Sequence, residues 1–141
     1  MEAQRYLRCL GHPTLYSPAG EQIRFRTKKH LAVLVYLAVE SGRAHRRERL
    51  AELFWPNVPL AEARHSLATA LSVLRPRLGP KAIESSRDHV RLAAGRLHLD
   101  LDRLRSGEII GTDPFKPLEI AGFLEGFDIP DAHEFSLWKD R

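Results

Sequence analysis

Apolar positions along the chain change their period twice. Between residues 5 and 25 they come in short, roughly alternating runs, RYLRCLG (5–11), TLYS (14–17) and EQIRF (21–25), separated by Gly11, Pro13, Pro18 and Gly20. Alternation punctuated by turn formers predicts a small antiparallel sheet. The spacing then lengthens. Leu31, Leu34, Val35 and Ala38 recur at helical intervals after the N-cap type Thr27 and before Ser41 and Gly42, which supply a stop. RRERLAELFW (46–55) repeats the pattern with Leu50, Leu53 and Phe54, and Pro56 ends it because the residue before a proline resists the helical region. In LAEARHSLATALSVLRPRLG (60–79), Ala63, Leu67, Ala70, Leu71, Leu74 and Leu78 stack along one stripe of a third helix. Pro59 suits its first turn, Glu62 complements its positive end, and Gly79 with Pro80 closes it. Pro76 removes a backbone hydrogen bond, so an end or kink is expected near Arg75. Alternation returns in AIESS (82–86) and HVRLAA (89–94), which join at Arg87 and Asp88 as a hairpin, and in RLHLDL (96–101).

A short sheet, three helices and a hairpin, in that order, predict an α+β fold of the winged-helix type over residues 1–105. SGEIIGTDPFKP (106–117), with two Gly and two Pro, reads as a linker, and 118–141 as a short helical extension. In that extension Asp131 and Glu134 have capping-box spacing, and Phe135 and Trp138 fall three apart on one helical face. So brief a helix does not persist alone in water, so it is expected to be ordered and docked on the preceding domain.

The face of the third helix opposite its apolar stripe carries Arg64, His65, Thr69, Ser72 and Arg75, all hydrogen-bond donors. Charge gives that face a direction. Residues 1–105 hold 19 Lys+Arg against 10 Asp+Glu, or +9, whereas 106–141 hold 3 against 8, or −5, which together make the net +4. A basic body with an acidic tail predicts a polyanion-binding domain joined to a segment with another task. In a winged helix the third helix enters the major groove of double-stranded DNA. Arg64, His65, Thr69 and Ser72 are then expected at base edges, Arg46, Arg47 and Arg75 at phosphates, and Arg87 at the flanking groove or its backbone.

Here the sequence also resembles a known family. RTKKHLAVLVYLAVESGR (26–43), RRERLAELFWPNVPLAEARHSLATALSVLRPRLG (46–79) and IESSRDHVRLAAGRLHLDLDRL (83–104) resemble the OmpR-like winged-helix domain of SARP-type (antibiotic regulatory protein) bacterial transcription activators. The LAELFWP run is the most specific part. GFLEGFDIPDAHEFSLWKDR (122–141) is similar to the opening of the helical bacterial transcriptional activator domain that follows in that family, and its stop inside a helix reads as a truncation. The resemblance implies promoter binding through the third helix, with the loop WPNVPLAE (55–62) meeting RNA polymerase. Family members carry more Arg or Asn where this chain has Ser66, Ala68, Val73 and Pro76, and often Ser where it has Arg46. The alternative is therefore a winged-helix module that binds protein and binds DNA weakly or not at all.

Other classes are poorly served. The seven histidines lack metal-ligand spacing, and a lone Cys9 makes neither a metal site nor an internal disulfide. Ser85 and Ser86 near Asp88 and His89 are better explained as turn residues than as a nucleophile and base. There is no glycine-rich phosphate loop, so neither an enzyme nor a cofactor is expected. No apolar run reaches membrane-spanning length and residues 1–10 lack a secretory pattern, which predicts a cytoplasmic protein without membrane contact. Oligomeric state leaves no mark in the sequence.

Overall fold

The computed structural model describes residues 5–79, 81–93, 97–100 and 123–140. Within these lie β1 (Arg5–Arg8), β2 (Thr14–Tyr16), β3 (Gln22–Ile23), α1 (Lys28–Val39), β4 (His45–Arg46), α2 (Arg47–Phe54), α3 (Leu60–Leu78), β5 (Ile83–Ser85), β6 (His89–Leu92), β7 (Leu97–Leu99) and α4 (His133–Lys139). The fold is mixed α+β and divides into two compact units: Met1–Arg24 with Leu97–Phe127, and Phe25–Arg96 with Asp128–Arg141. The expected linker at 106–117 lies outside the described residues.

The first unit is a four-stranded sheet in the order β3-β2-β1-β7. β1 and β2 pair antiparallel with Leu7 opposite Leu15, both buried, which is the alternation of the sequence turned into one apolar face. On the opposite face Tyr6 packs between Tyr16 and His98, at centroid distances of 6.1 and 5.5 Å. The expected antiparallel sheet of β1, β2 and β3 is present, and β7 extends it by joining β1 in parallel, with Leu7 opposite Leu99. The partner of β7 lies some 90 residues away in sequence, beyond the reach of any local signal. Beyond that pairing, the buried Asp100 carboxylate accepts from the backbone amides of Cys9 at 2.8 Å and Leu10 at 3.0 Å. The unit closes with a turn in which the Leu124 amide bonds the Cys9 carbonyl at 2.8 Å and Gly126 supplies a φ of 78°. Phe127, fully buried, then meets the His12 ring edge-on at 5.5 Å.

The second unit is built on α1, whose Thr27 hydroxyl accepts from the His30 amide at 3.2 Å. Besides the predicted stripe, α1 buries Ala32, Val33 and Leu37, so it runs through the middle of the core. α2 buries Leu50, Ala51, Leu53 and Phe54 and stops before Pro56. α3 buries the six residues of the predicted stripe. The expected break near Arg75 does not occur: α3 continues through Pro76 to Leu78 and ends at Gly79, φ 95°. The carbonyl that Pro76 leaves without an amide partner belongs to the exposed Ser72. The Arg77 guanidinium bonds the next carbonyl, Val73, at 2.9 Å.

After α3, β5 and β6 form the predicted hairpin, with Ile83 opposite Leu92 and Ser85 opposite Val90. A third strand extends it, because β4 pairs with β6 through His45–Val90 and Arg46–His89. The residues just before α2 therefore belong to the hairpin sheet, where the sequence reading had started a helix at Arg46.

The C-terminal segment of this unit is ordered against it. Phe135 is fully buried, 5.3 Å from the ring of Phe54, and Trp138 lies 4.9 Å from Tyr36 and donates its indole N–H to Glu40 at 3.2 Å. The expected capping box is absent. The N-cap of α4 is Ala132 without a side-chain bond, while Asp131 pairs with Lys29 and Glu134 with Arg49, each at 2.5 Å. Both carboxylates hold the segment to α1 and α2 instead of capping their own helix.

Candidate nucleic-acid interface

Amphipathicity alone decides what α3 offers to solvent. Once its apolar stripe is buried, the 3.6-residue period leaves Arg64, His65, Thr69 and Ser72 exposed, with Ala61 and Ala68 between them as small residues over which a partner approaches closely. All four sequence-predicted base-edge residues are thus on the outer surface of one helix, but they split into two rows. His65, Thr69 and Ser72 stand four and seven residues apart and form the central row. Arg64 stands on the flank toward α2, where its guanidinium is 3.8 Å from Glu48.

The hairpin is fastened to that flank. Arg75 donates to the Ser85 hydroxyl at 2.6 Å, tying the last turns of α3 to β5. Arg47, at the start of α2, bonds the Ser86 carbonyl through Nε at 3.0 Å, and its amide bonds the Asp88 carbonyl at 2.8 Å. Within the hairpin turn, the Ser86 amide bonds the His89 carbonyl at 2.9 Å and the Ser86 hydroxyl accepts from the His89 amide at 3.2 Å. The turn thereby presents Arg87 outward. Arg91 and Glu84 form an ion pair across the two strands.

The eight predicted residues therefore differ in what they are free to do. Arg47, Arg64 and Arg75 make contacts within the protein, whereas the exposed side chains of Arg46 and Arg87 have no partner among the described residues. Sequence reading missed that Arg46 sits on a strand of the hairpin sheet. The only local signal was the two-residue alternation of His45 and Arg46, too short to distinguish from a helix start.

His45, at the root of this sheet, is buried, donates its Nε2–H to the Glu40 carbonyl at 3.3 Å and packs 5.3 Å from Tyr36. Burial holds its pKa below the ordinary histidine value, against the pull of that carbonyl. Among the described residues no three His, Cys, Asp or Glu side chains come together as a metal site, and no helix is long and apolar enough to cross a membrane.

No family model matches the chain, and no curated protein matches it. Among solved structures it is similar to Mycobacterium tuberculosis EmbR, determined in complex with a low affinity phosphopeptide, with a TM-score of 0.75 and 19% sequence identity. The similarity covers 99% of this chain and 41% of that one, so the chain spans less than half the length of EmbR. At this identity the likeness establishes a shared fold.

Proposed function

We propose that the protein is a winged-helix module of a transcription regulator that binds duplex DNA, with α3 in the major groove and the β5–β6 turn on the flanking groove or backbone. The observation that carries this reading is the exposed donor row His65, Thr69 and Ser72 on α3, flanked by two cations, Arg46 and Arg87, that have no partner among the described residues, on the sheet fastened beside it. A groove-sized helix with donors for base edges, bordered by charges for phosphates, is the division of labour that sequence-specific binding requires. The +9 charge of residues 1–105, the EmbR-like fold and the resemblance of LAELFWP and its following helix to SARP-type activators support it.

On this reading residues 1–105 form the DNA-binding part, 118–141 open a helical activator domain, and the protein works in the cytoplasm. The α2–α3 loop and the start of α3, where Val58 and Leu60 stand 39% and 43% exposed, face RNA polymerase. The second reading, a protein-interaction module, draws support from the internal contacts of Arg47, Arg64 and Arg75, which leave fewer free cations than the sequence promises.

Fluorescence anisotropy with a generic duplex at two salt concentrations separates the two. The expected result is binding in the range of about 10⁻⁴ to 10⁻⁶ M that weakens steeply with salt, with the slope reduced by roughly one unit in Arg46→Ala and again in Arg87→Ala. Binding that ignores salt, or that both substitutions leave untouched, returns the protein to the second reading.

A further inference from the structure

We propose that a cavity in the second unit, between the first turn of α1, Trp55, the flank of α3 and residues 128–131, binds a small aromatic carboxylate. The cavity has a volume of about 410 Å³, within the range of small-molecule sites, which run from roughly 300 to 1,000 Å³. Trp55, Ile129 and Pro130 give it flat, apolar walls suited to a ring of one or two fused cycles.

Its polar groups ask for an acceptor. The indole N–H of Trp55 and the hydroxyls of Ser66 and Thr69 have no protein partner among the described residues. His30 contributes a buried Nδ1, also without a partner. Burial, reinforced by the nearby Arg77, holds the pKa of His30 below the ordinary value and so disfavours a charged ring.

Charge selects an anion over a cation. The two carboxylates on the cavity wall are already engaged, Asp131 with Lys29 at 2.5 Å and Asp128 with Lys139 at 3.0 Å. Lys28 is left as the charge with no partner among the described residues. It stands in the first turn of α1, which contains no acidic residue and lies at the positive end of the helix dipole. Lys29 also lies over the Trp55 ring, 5.6 Å from its centroid, so the indole is held in place between that cation and the cavity. A carboxylate would sit at Lys28 with its ring along Trp55 and Pro130.

The protein contains two tryptophans, Trp55 and Trp138, and the second serves as an internal control because its indole N–H is bonded to Glu40 at 3.2 Å. The test is a titration of the ¹⁵N-labelled full chain with 2-naphthoate, following both indole N–H resonances, with 2-naphthalenemethanol as the uncharged counterpart. The Trp55 resonance is expected to shift saturably at millimolar ligand or below while that of Trp138 stays in place. The alcohol and the Lys28→Ala variant should each bind at least tenfold more weakly, and Ser66→Leu, which fills the cavity, should abolish the shift. Circular dichroism establishes that both variants are folded. No saturable shift at Trp55, or equal affinity of acid, alcohol and Lys28→Ala, overturns the proposal. Because the site needs no DNA, failure of the duplex-binding experiment would count against the DNA reading and leave this one standing.

Discussion

Replacing Phe135 by Ala tests whether the C-terminal segment belongs to the folded core of its unit or is merely laid on it. The ring is fully buried and lies 5.3 Å from Phe54 and 5.6 Å from Trp138, so its removal opens a hole beside these two aromatic side chains. Phe→Ala in a core typically costs about 3–5 kcal/mol, and each lost aromatic pair contributes about 0.5–1.5 kcal/mol beyond its area. A domain of ordinary stability has only about 5–15 kcal/mol in total. α4 has seven residues and no side-chain N-cap, so nothing local keeps it helical once the ring is gone. Urea unfolding followed by circular dichroism should therefore lose at least about 2 kcal/mol, allowing for partial collapse of the hole. Trp138 emission in native buffer should move to the red as its contacts with Tyr36 and Glu40 open. A loss below about 1 kcal/mol with unchanged Trp138 emission would refute the reasoning, since that outcome is the signature of a surface position.

Asp100→Ala should destabilise by about 1–3 kcal/mol in the same assay, because it leaves the Cys9 and Leu10 amides without their acceptor; an effect within experimental error would mean that water replaces the carboxylate. His45 and His30 both have folded-state pKa values below their unfolded ones, so their contribution is complete above about pH 6.5 and declines as pH falls toward the folded values. The unfolding midpoint should accordingly drop between pH 7 and pH 5, and His45→Gln should flatten that dependence; an unchanged profile in the variant would remove His45 from the account. Asp131 has its pKa lowered, chiefly by the hydrogen bond from Lys29, so its pairing persists above about pH 4 and is lost as pH falls through the lower folded value. Trp138 emission titrated from pH 6 to pH 2 should show release of the segment at the acid end, earlier in Lys29→Met than in the parent; coincident curves would assign no role to the pair. In a duplex-binding assay, His65→Ala is expected to change preference among sequences by about 1–3 kcal/mol at one position, whereas Arg87→Ala weakens all sequences alike. A change of preference in Arg87→Ala alone would reverse the proposed roles of helix and turn.

Much of this architecture was legible because its causes are local. The stripe Ala63, Leu67, Ala70, Leu71, Leu74 and Leu78 follows from a 3.6-residue period that any core must respect, and it fixes in turn which of Arg64, His65, Thr69 and Ser72 remain outside. Thr27 caps α1 through its own hydroxyl, and the SSRD turn is drawn by chain chemistry within a few residues. Where the reading departed from the structure, a distant partner had changed the local balance. Asp131 and Glu134 have the spacing of a cap, yet Lys29 and Arg49 offer charged partners that a free helix end does not, and the carboxylates turn to them. Pro76 breaks an isolated helix, but burial of Leu74 and Leu78 on either side and the Arg77 bond to Val73 hold the last turn in register. The parallel pairing of β7 with β1 and the antiparallel pairing of β4 with β6 depend on backbone groups that every residue carries, so side-chain pattern records neither. The same holds for the cavity beside Trp55, whose walls come from four separate stretches of chain. Periodicity and caps, which act over one or two turns, were written in the sequence; pairing, ion-pair choice and cavities, which depend on what lies across space, were decided by the tertiary structure.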